Sequence, residues 1–284
     1  MRKTTYILLV LFVIFGYSCQ NYTELDLPEA ELKITVDGWI ENNDYPYVIL
    51  TLSSNYFSVI DSAVLRELVL TRARVEVSSD NESEVLTLVK NEDYFPPYLY
   101  RGFDIKGENG KTYELRVDYG GKTITSFTTI PAPILLDSIW FEANNPDDTL
   151  GIIKVAFTDN PEEKNYYKTF AKILGENTRY IPTLISNFDD KYFNGESFIF
   201  SLNRGQDTYL RPMSNIYFNN TDTINVKICT LDKTSFQFWI SYQDEIINAG
   251  NPFASSHKKV LSNIDGGLGI WCGYGSTRYV LVVR

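Results

Sequence analysis

The sequence predicts a mainly β protein: an N-terminal immunoglobulin-like β-sandwich, then a β-rich domain, barrel or sandwich, closed around one amphipathic helix. Three observations predict it. Short runs of alternating apolar and polar residues recur along the chain, separated by Gly, Pro and Asn turn signals. Aromatics make up 14% of the 284 residues, with 20 Tyr and 17 Phe, and these residue types suit a pleated surface. Helical spacing of apolar residues stands out in one segment alone.

The N-terminus reads as an address. Met1-Arg2-Lys3 is positively charged, and Tyr6 to Phe15 is an uninterrupted apolar run. As a helix that run spans about 15 Å, half of the roughly 30 Å hydrocarbon core, which suits a signal-peptide h-region and not a membrane span. Gly16-Tyr17-Ser18 leads into a lone Cys, an arrangement that resembles a bacterial lipobox with Gly16 in place of the usual Leu. Residues 1–18 are therefore expected to be a lipoprotein signal peptide, and Cys19 the lipidated first residue of the mature chain. Residues 19–31 are polar, contain Pro28, and read as a tether holding the folded part off the bilayer.

The expected sandwich covers residues 32–130. Leu32–Val36 alternates, Tyr47–Leu52 is a short apolar run, and Ala73–Val77 and Val85–Val89 alternate again. Tyr113–Tyr119 and Lys122–Thr129 flank Gly120-Gly121, a hairpin signal, because a type I′ turn needs positive φ at both central positions. Pro131 and Pro133 then stiffen an extended connector, the expected domain boundary. The second domain, 134–284, offers strands at Leu135–Glu142, Gly151–Thr158, Tyr166–Leu174, Ser197–Leu202, Thr223–Leu231 and Thr277–Val283. Phe236, Trp239, Ile240 and Ile247 recur at helical spacing, with Thr234 or Ser235 to cap the start and Gly250 and Pro252 to end it. This predicts a helix over 235–249.

Charge and composition narrow the function. The net charge of −10 becomes −12 once residues 1–18 and their two basic side chains are removed. That balance argues against a nucleic-acid or anionic-membrane binder, which needs a basic face. Contact with the membrane is expected through the lipid anchor alone. One His and three Cys cannot supply the four ligands of a closed zinc site once Cys19 is lipidated. No metal or other cofactor is expected. His257 sits in a polar loop, and no Gly-x-Ser-x-Gly elbow accompanies it, so no Ser-His hydrolase is indicated. The acidic pairs Asp147-Asp148, Glu162-Glu163 and Asp189-Asp190 lack the spacing of a calcium loop.

Two further features stay open. Cys229 and Cys272 can pair outside the cytoplasm, adding about 4 kcal/mol in the chain-entropy model. They can equally remain separate buried thiols that pack as small apolar residues. Tyr94–Tyr100 and Tyr192–Phe193 read either as exposed aromatic loops that stack on sugars or dock a partner, or as rings packed on sheet faces.

The segment 251–275 is the most distinctive. Five glycines fall between Gly266 and Gly275, but neither the helix nor the Lys-Ser/Thr pair of a phosphate loop follows. A bulged strand or a tight crossing of backbones is the expected structure. Asn251-Pro252, Ser262-Asn263-Ile264 and the run Gly266-Gly267-Leu268-Gly269-Ile270 through Gly273-Tyr274-Gly275 resemble the C-terminal signature of an uncharacterised family of Bacteroidota outer-membrane lipoproteins, domain of unknown function 4249. Val36-Asp37-Gly38-Trp39-Ile40 and Tyr113-Glu114-Leu115 with Thr129-Ile130-Pro131 fit the same family, while Cys272 stands where its pattern usually has Gly. The resemblance implies an accessory role in uptake beside a TonB-dependent receptor and supplies no catalytic residue. It also implies O-glycosylation at Asp-Ser/Thr-aliphatic sites, for which Ser62 and Thr149 are the loop-borne candidates.

The expected function is that of a surface-exposed, lipid-anchored outer-membrane protein. It would be a non-catalytic accessory or ligand-binding partner of a TonB-dependent receptor in nutrient uptake, its ligand (small molecule, glycan or peptide) unspecified. A structural or adhesive surface protein is the alternative, and an extracytoplasmic hydrolase with an unrecognised carboxylate pair the third.

Overall fold

A computed structural model describes residues 31–54, 66–80, 82–205, 216–248 and 259–283. The signal peptide, Cys19, nearly all of the tether, Ser62, Asn251, Pro252 and His257 lie outside the described residues. The first eight strands are β1 (Ile34–Glu41), β2 (Tyr47–Leu52), β3 (Arg74–Ser79), β4 (Glu82–Val85), β5 (Thr87–Lys90), β6 (Tyr98–Arg101), β7 (Thr112–Tyr119) and β8 (Lys122–Thr129). The rest are β9 (Ser138–Ala143), β10 (Leu150–Thr158), β11 (Tyr166–Ile173), β12 (Ile181–Asp189), β13 (Ser197–Leu202), β14 (Phe218–Asn219), β15 (Thr223–Thr230) and β16 (Leu268–Val282). One long helix, α1 (Lys233–Asn248), interrupts them, and no helix among the described residues is long and apolar enough to cross a membrane.

The protein is mainly β and sandwich-like with one long helix, as expected, and one long sheet runs through both of its halves. Eight strands form one long open sheet in the order β12-β11-β15-β16-β1-β2-β6-β5. Two four-stranded sheets accompany it: β4-β3-β7-β8, and β10 flanked by β9 on one side and by β13 and β14 on the other. Among the described residues no sheet closes into a barrel, so the second half is sandwich-like. The centre of the long sheet is the parallel pair β1–β16, in register from Thr35↔Leu268 to Glu41↔Tyr274.

Strand alternation sorts the long sheet into two faces. Ile34, Val36 and Ile40 of β1, with Trp271 opposite Gly38, point to the face covered by β3, β4, β7 and β8. Val75, Val77, Leu115 and Ile130 complete that core. Ile224, Val226 and Ile228 of β15 face the β9–β10–β13–β14 sheet, where Ile153, Val155 and Phe218 are buried against them. Each such side chain contributes about 1.5–3 kcal/mol by leaving water.

The boundary expected at Pro131–Pro133 separates these two cores but does not divide the fold. Leu32–Arg284 forms one compact unit, because β16 is long enough to border both cores and pairs with β1 at one end and β15 at the other. The prolines form a strap over β16. Thr230 Oγ1 donates to the Ala132 carbonyl at 2.7 Å, Thr277 Oγ1 donates to the Ile134 carbonyl at 2.6 Å, and the Leu136 N–H donates to Tyr279 Oη at 2.8 Å.

The Gly120-Gly121 hairpin forms as expected, with φ of 58° and 78°. The helix starts two residues before the expected Ser235, and neither Thr234 nor Ser235 is its cap. Asp232 is: its Oδ1 accepts from the Ser235 N–H at 2.7 Å, and a carboxylate at that position satisfies an otherwise orphaned donor. α1 lies on the other face of the long sheet, where Phe236, Phe238 and Trp239 pack on Tyr166, Phe170, Ile270 and Tyr274.

Candidate functional site

The glycine-rich signature is a strand. Asn263 brackets its start, taking the Trp271 N–H at 2.9 Å and donating to the Trp271 carbonyl at 2.7 Å, while the Trp271 indole N–H donates to the Tyr113 carbonyl at 3.0 Å. Gly266 and Gly267 form the turn into β16. Gly269 has φ of +102°, and a Cβ there would strike the Val36 carbonyl on β1. A Cβ on Gly273 would lie 2.7 Å from the Thr129 carbonyl, and one on Gly275 would strike the Pro131 carbonyl. These two glycines let the proline strap cross directly over the strand. Tyr274 is buried, its ring edge-on to Phe170 at 5.9 Å. The signature thus assembles the centre of the fold and cradles no phosphate.

Cys229 and Cys272 are both free and buried. Cys229 lies opposite Ser276 on β16, four residues beyond Cys272. That separation is about 13 Å of extended strand, beyond the roughly 7 Å span of a disulfide. Of the two alternatives, the structure shows separate thiols. Burial pushes the Cys272 thiol up to about 12 and raises Cys229 as well, which makes both inert.

The α1-bearing face of the long sheet holds charged groups among rings. Glu41 on β1 accepts from Lys227 Nζ on β15 at 2.5 Å and from Arg278 on β16 at 2.5 Å, and Glu41 and Lys227 are both buried. Burial alone would raise the Glu41 carboxyl; Lys227 and Arg278 overcome it and hold the group below its ordinary value. Lys227 is held above its ordinary value by Glu41 in spite of burial. Lys168 on β11 is 2% exposed and, among the described residues, makes no ion pair, the Asp37 carboxylate acting on it only from a distance. Its ammonium sits 3.7 Å from the centre of the Trp239 ring and donates to Asn187 Oδ1 at 3.2 Å. Burial pushes this lysine down to about 7.

Farther along the same face, Tyr94 stacks on Trp39 at 5.8 Å, and Trp39 on Tyr47 at 5.3 Å. Tyr100 is buried, its hydroxyl donating to the Leu70 carbonyl at 3.0 Å. The expected aromatic loop at Tyr94–Tyr100 is therefore half consumed by packing, with Phe95 and Tyr98 left exposed.

The second aromatic loop builds a site. Asn187, Phe188 and Asp189 end β12, and Tyr192 and Phe193 follow in the turn. With Phe198 of β13 and Phe236 and Ile240 of α1 they line a cavity of about 430 Å³. Phe193 and Phe198 stack with ring centres 4.0 Å apart and ring planes nearly parallel. Tyr192 stands at the mouth, 85% exposed. Asp189 pairs with Lys164 at 3.2 Å, and Asn187 Nδ2 donates to Gln243 of α1 at 3.0 Å. The site is an open, mainly apolar depression with two polar groups at its rim, which suits binding by contact.

Tyr192 and Phe193 were legible in the sequence; Asn187, Phe188, Phe198 and Ile240 were not, because nothing local brings β12, β13 and α1 together. Two of the acidic pairs serve as turn and strand-end partners: Asp148 Oδ1 accepts the Leu150 N–H at 2.9 Å, and Asp190 Oδ2 accepts the Asn165 N–H at 2.5 Å. Among the described residues no three His, Cys, Asp or Glu side chains converge as metal ligands. Thr149 is exposed in the turn before β10.

A family model described as "Domain of unknown function (DUF4249)" matches residues 21–279. No curated protein matches the chain. Among solved structures 24 chains match; one is a crystal structure of bovine butyrophilin, 11% identical, covering 71% of this chain and 92% of that one, with a TM-score of 0.21. At that score the likeness carries no argument about fold or role.

Proposed function

The chain belongs to the DUF4249 family, and from that premise we propose that it is a surface-exposed, lipid-anchored outer-membrane protein, a non-catalytic accessory and ligand-binding partner of a TonB-dependent receptor. The single observation that carries the binding part is the cavity between α1, β12 and β13, open at Tyr192 and lined chiefly by apolar side chains. Such a site gives affinity by removing apolar surface from water and offers no paired acid and base for chemistry. Elsewhere on that face Glu41 is paired with Lys227 and Arg278, and Lys168 bonds to Asn187 beside the Trp239 ring. The lipobox-like approach to Cys19 supports the anchor, and the mature charge of −12 supports a lipid-only contact with the membrane.

Two measurements test the reading. Cys19→Ala is expected to abolish labelling by palmitate and to release the protein from the membrane fraction; continued labelling or retention of that variant overturns the anchor. A gentle-detergent pulldown of the tagged native protein is expected to bring down a large β-barrel receptor. Recovery of the protein alone, from cells in which receptors of that size are abundant, counts against the accessory role.

A further inference from the structure

The free edge of β12 lies beside the cavity, and what it takes up deepens the reading of this protein as one that works by contact, on which the inference rests. Among the described residues the long sheet ends at β12, whose one sheet neighbour is β11. Natural proteins block such edges against unwanted pairing. The first half of β12 is blocked: Pro182 has no N–H to donate, and the register with β11 shifts between Lys168 and Phe170.

The second half is not. Tyr166↔Asp189, Tyr167↔Phe188 and Lys168↔Asn187 are regular antiparallel pairs. The Asp190 N–H donates to the Asn165 carbonyl at 3.2 Å, and the Leu231 N–H donates to the Tyr166 carbonyl at 2.9 Å. Those bonds set the alternation, which turns the N–H and C=O of Asn187 and Asp189 away from β11. Among the described residues no backbone hydrogen bond outside the ladder engages either one.

The cavity occupies the same edge. Asn187, Phe188 and Asp189 all line it, although successive side chains on a strand point to opposite faces. A cavity that touches all three lies along the strand's edge. α1 walls it on one side through Phe236 and Ile240, and Phe198 on the other. A row of outward backbone donors and acceptors is matched by another backbone in extended form, and a pocket beside it selects one side chain of that backbone. Charge sharpens the choice. Lys191 lies 5.1 Å from the Tyr192 ring, and among the described residues no carboxylate pairs with it, on a chain of net charge −10.

We propose that this edge takes up an extended peptide segment of a partner protein as an added strand. The partner's main chain bonds to Asn187 and Asp189, one of its apolar or aromatic side chains fills the cavity, and an acidic residue beside that anchor meets Lys191.

The test uses the full-length protein in detergent and a phage-displayed library of random nine-residue peptides, followed by synthesis of a selected sequence. Selection is expected to converge on one apolar or aromatic anchor next to Asp or Glu. The synthetic peptide slows hydrogen exchange of the Asn187 and Asp189 amides at least tenfold. Methylation of alternate peptide nitrogens weakens it at least tenfold, as do Tyr192→Ala and Asp189→Pro, the latter removing one outward N–H. Failure to converge, binding that survives methylation, or protection located elsewhere overturns strand addition. The receptor pulldown answers separately: peptide binding without receptor recovery sinks the accessory role alone, and receptor recovery that ignores Tyr192→Ala and Asp189→Pro, with no peptide selected, sinks strand addition alone.

Discussion

The two faces of the long sheet obey different physics. One is largely apolar: Ile34, Val36, Ile40, Trp271, Val226 and Ile228 meet two smaller sheets, and the polar tips buried there, such as the Trp271 indole N–H, bond to backbone carbonyls. The other buries Glu41, Lys227 and Lys168 beneath Tyr180, Trp239 and Tyr274, and is roofed by one helix. The first face is stabilised by area. The second is held by a few specific partners, each of which leaves an expensive remainder when its mate is removed. Gly273 and Gly275 of β16 lie on the face of Trp271, where they let the proline strap approach the strand's backbone.

The largest expected effect comes from closing that approach. Gly275→Val places a branched side chain against the Pro131 carbonyl, where backbone meets backbone and neither yields. The expected cost exceeds about 5 kcal/mol, enough to unfold an ordinary domain. Purified variant with a cooperative urea transition near that of the wild type would contradict the strap.

Next is the buried charge pair. Glu41→Ala strands Lys227 and frees Arg278 from its anchor, for an expected loss of about 3–5 kcal/mol. Glu41→Leu combined with Lys227→Met removes both buried charges and is expected to recover most of the loss. A double change as damaging as the single one would show that the ions serve more than each other.

Lys168→Met is smaller and opposite in sign. The folded state holds this amine near 7 while the unfolded chain holds it near 10.4, so above pH 7 the unfolded state binds more protons. Stability of the wild type therefore rises with pH from about 7, by up to roughly 1.4 kcal/mol per unit. Above about 8.5 the buried thiols oppose it, because unfolded cysteines release protons that Cys272 and Cys229 keep. Lys168→Met is expected to be more stable at pH 7 and to lose the rise between 7 and 8.5. Parallel denaturation curves of the two proteins at pH 7.0 and 8.5 read the difference directly. The smallest effect is the helix cap: Asp232→Ala is expected to cost about 1 kcal/mol by chemical denaturation, and no cost would remove Asp232 from that role.

Much of the fold was legible locally. The I′ hairpin at Gly120-Gly121, the strands at Tyr47–Leu52, Lys122–Thr129 and Ser197–Leu202, and a helix beginning near residue 235 follow from period and turn chemistry. β12 was not legible, because Pro182 and the consecutive exposed Leu184 and Ile185 break the alternation that marks a half-buried strand. Of β16, a regular strand was read from Thr277 onward and a bulged strand or tight crossing before it, because the glycines hide the alternation of one continuous strand. Of the site, the Tyr192–Phe193 rings were visible as an aromatic excess, whereas the walls from Phe198 and Phe236 depend on where two distant elements meet.

What the sequence determined by itself is the alphabet of elements: mostly strands, one amphipathic helix, a glycine-rich crossing in place of a phosphate loop. Each is set by side-chain period, backbone φ and capping within a few residues. Tertiary structure alone decided that β1 pairs in parallel with β16 and that the prolines form a strap. It also decided that Cys229 and Cys272 are too far apart to bond and that β12 keeps an open edge beside a cavity. Those are matters of register and partner choice. Alternation states that neighbouring side chains oppose one another, but only the strand across the ladder settles which face is apolar, which is charged, and which edge is left to another chain.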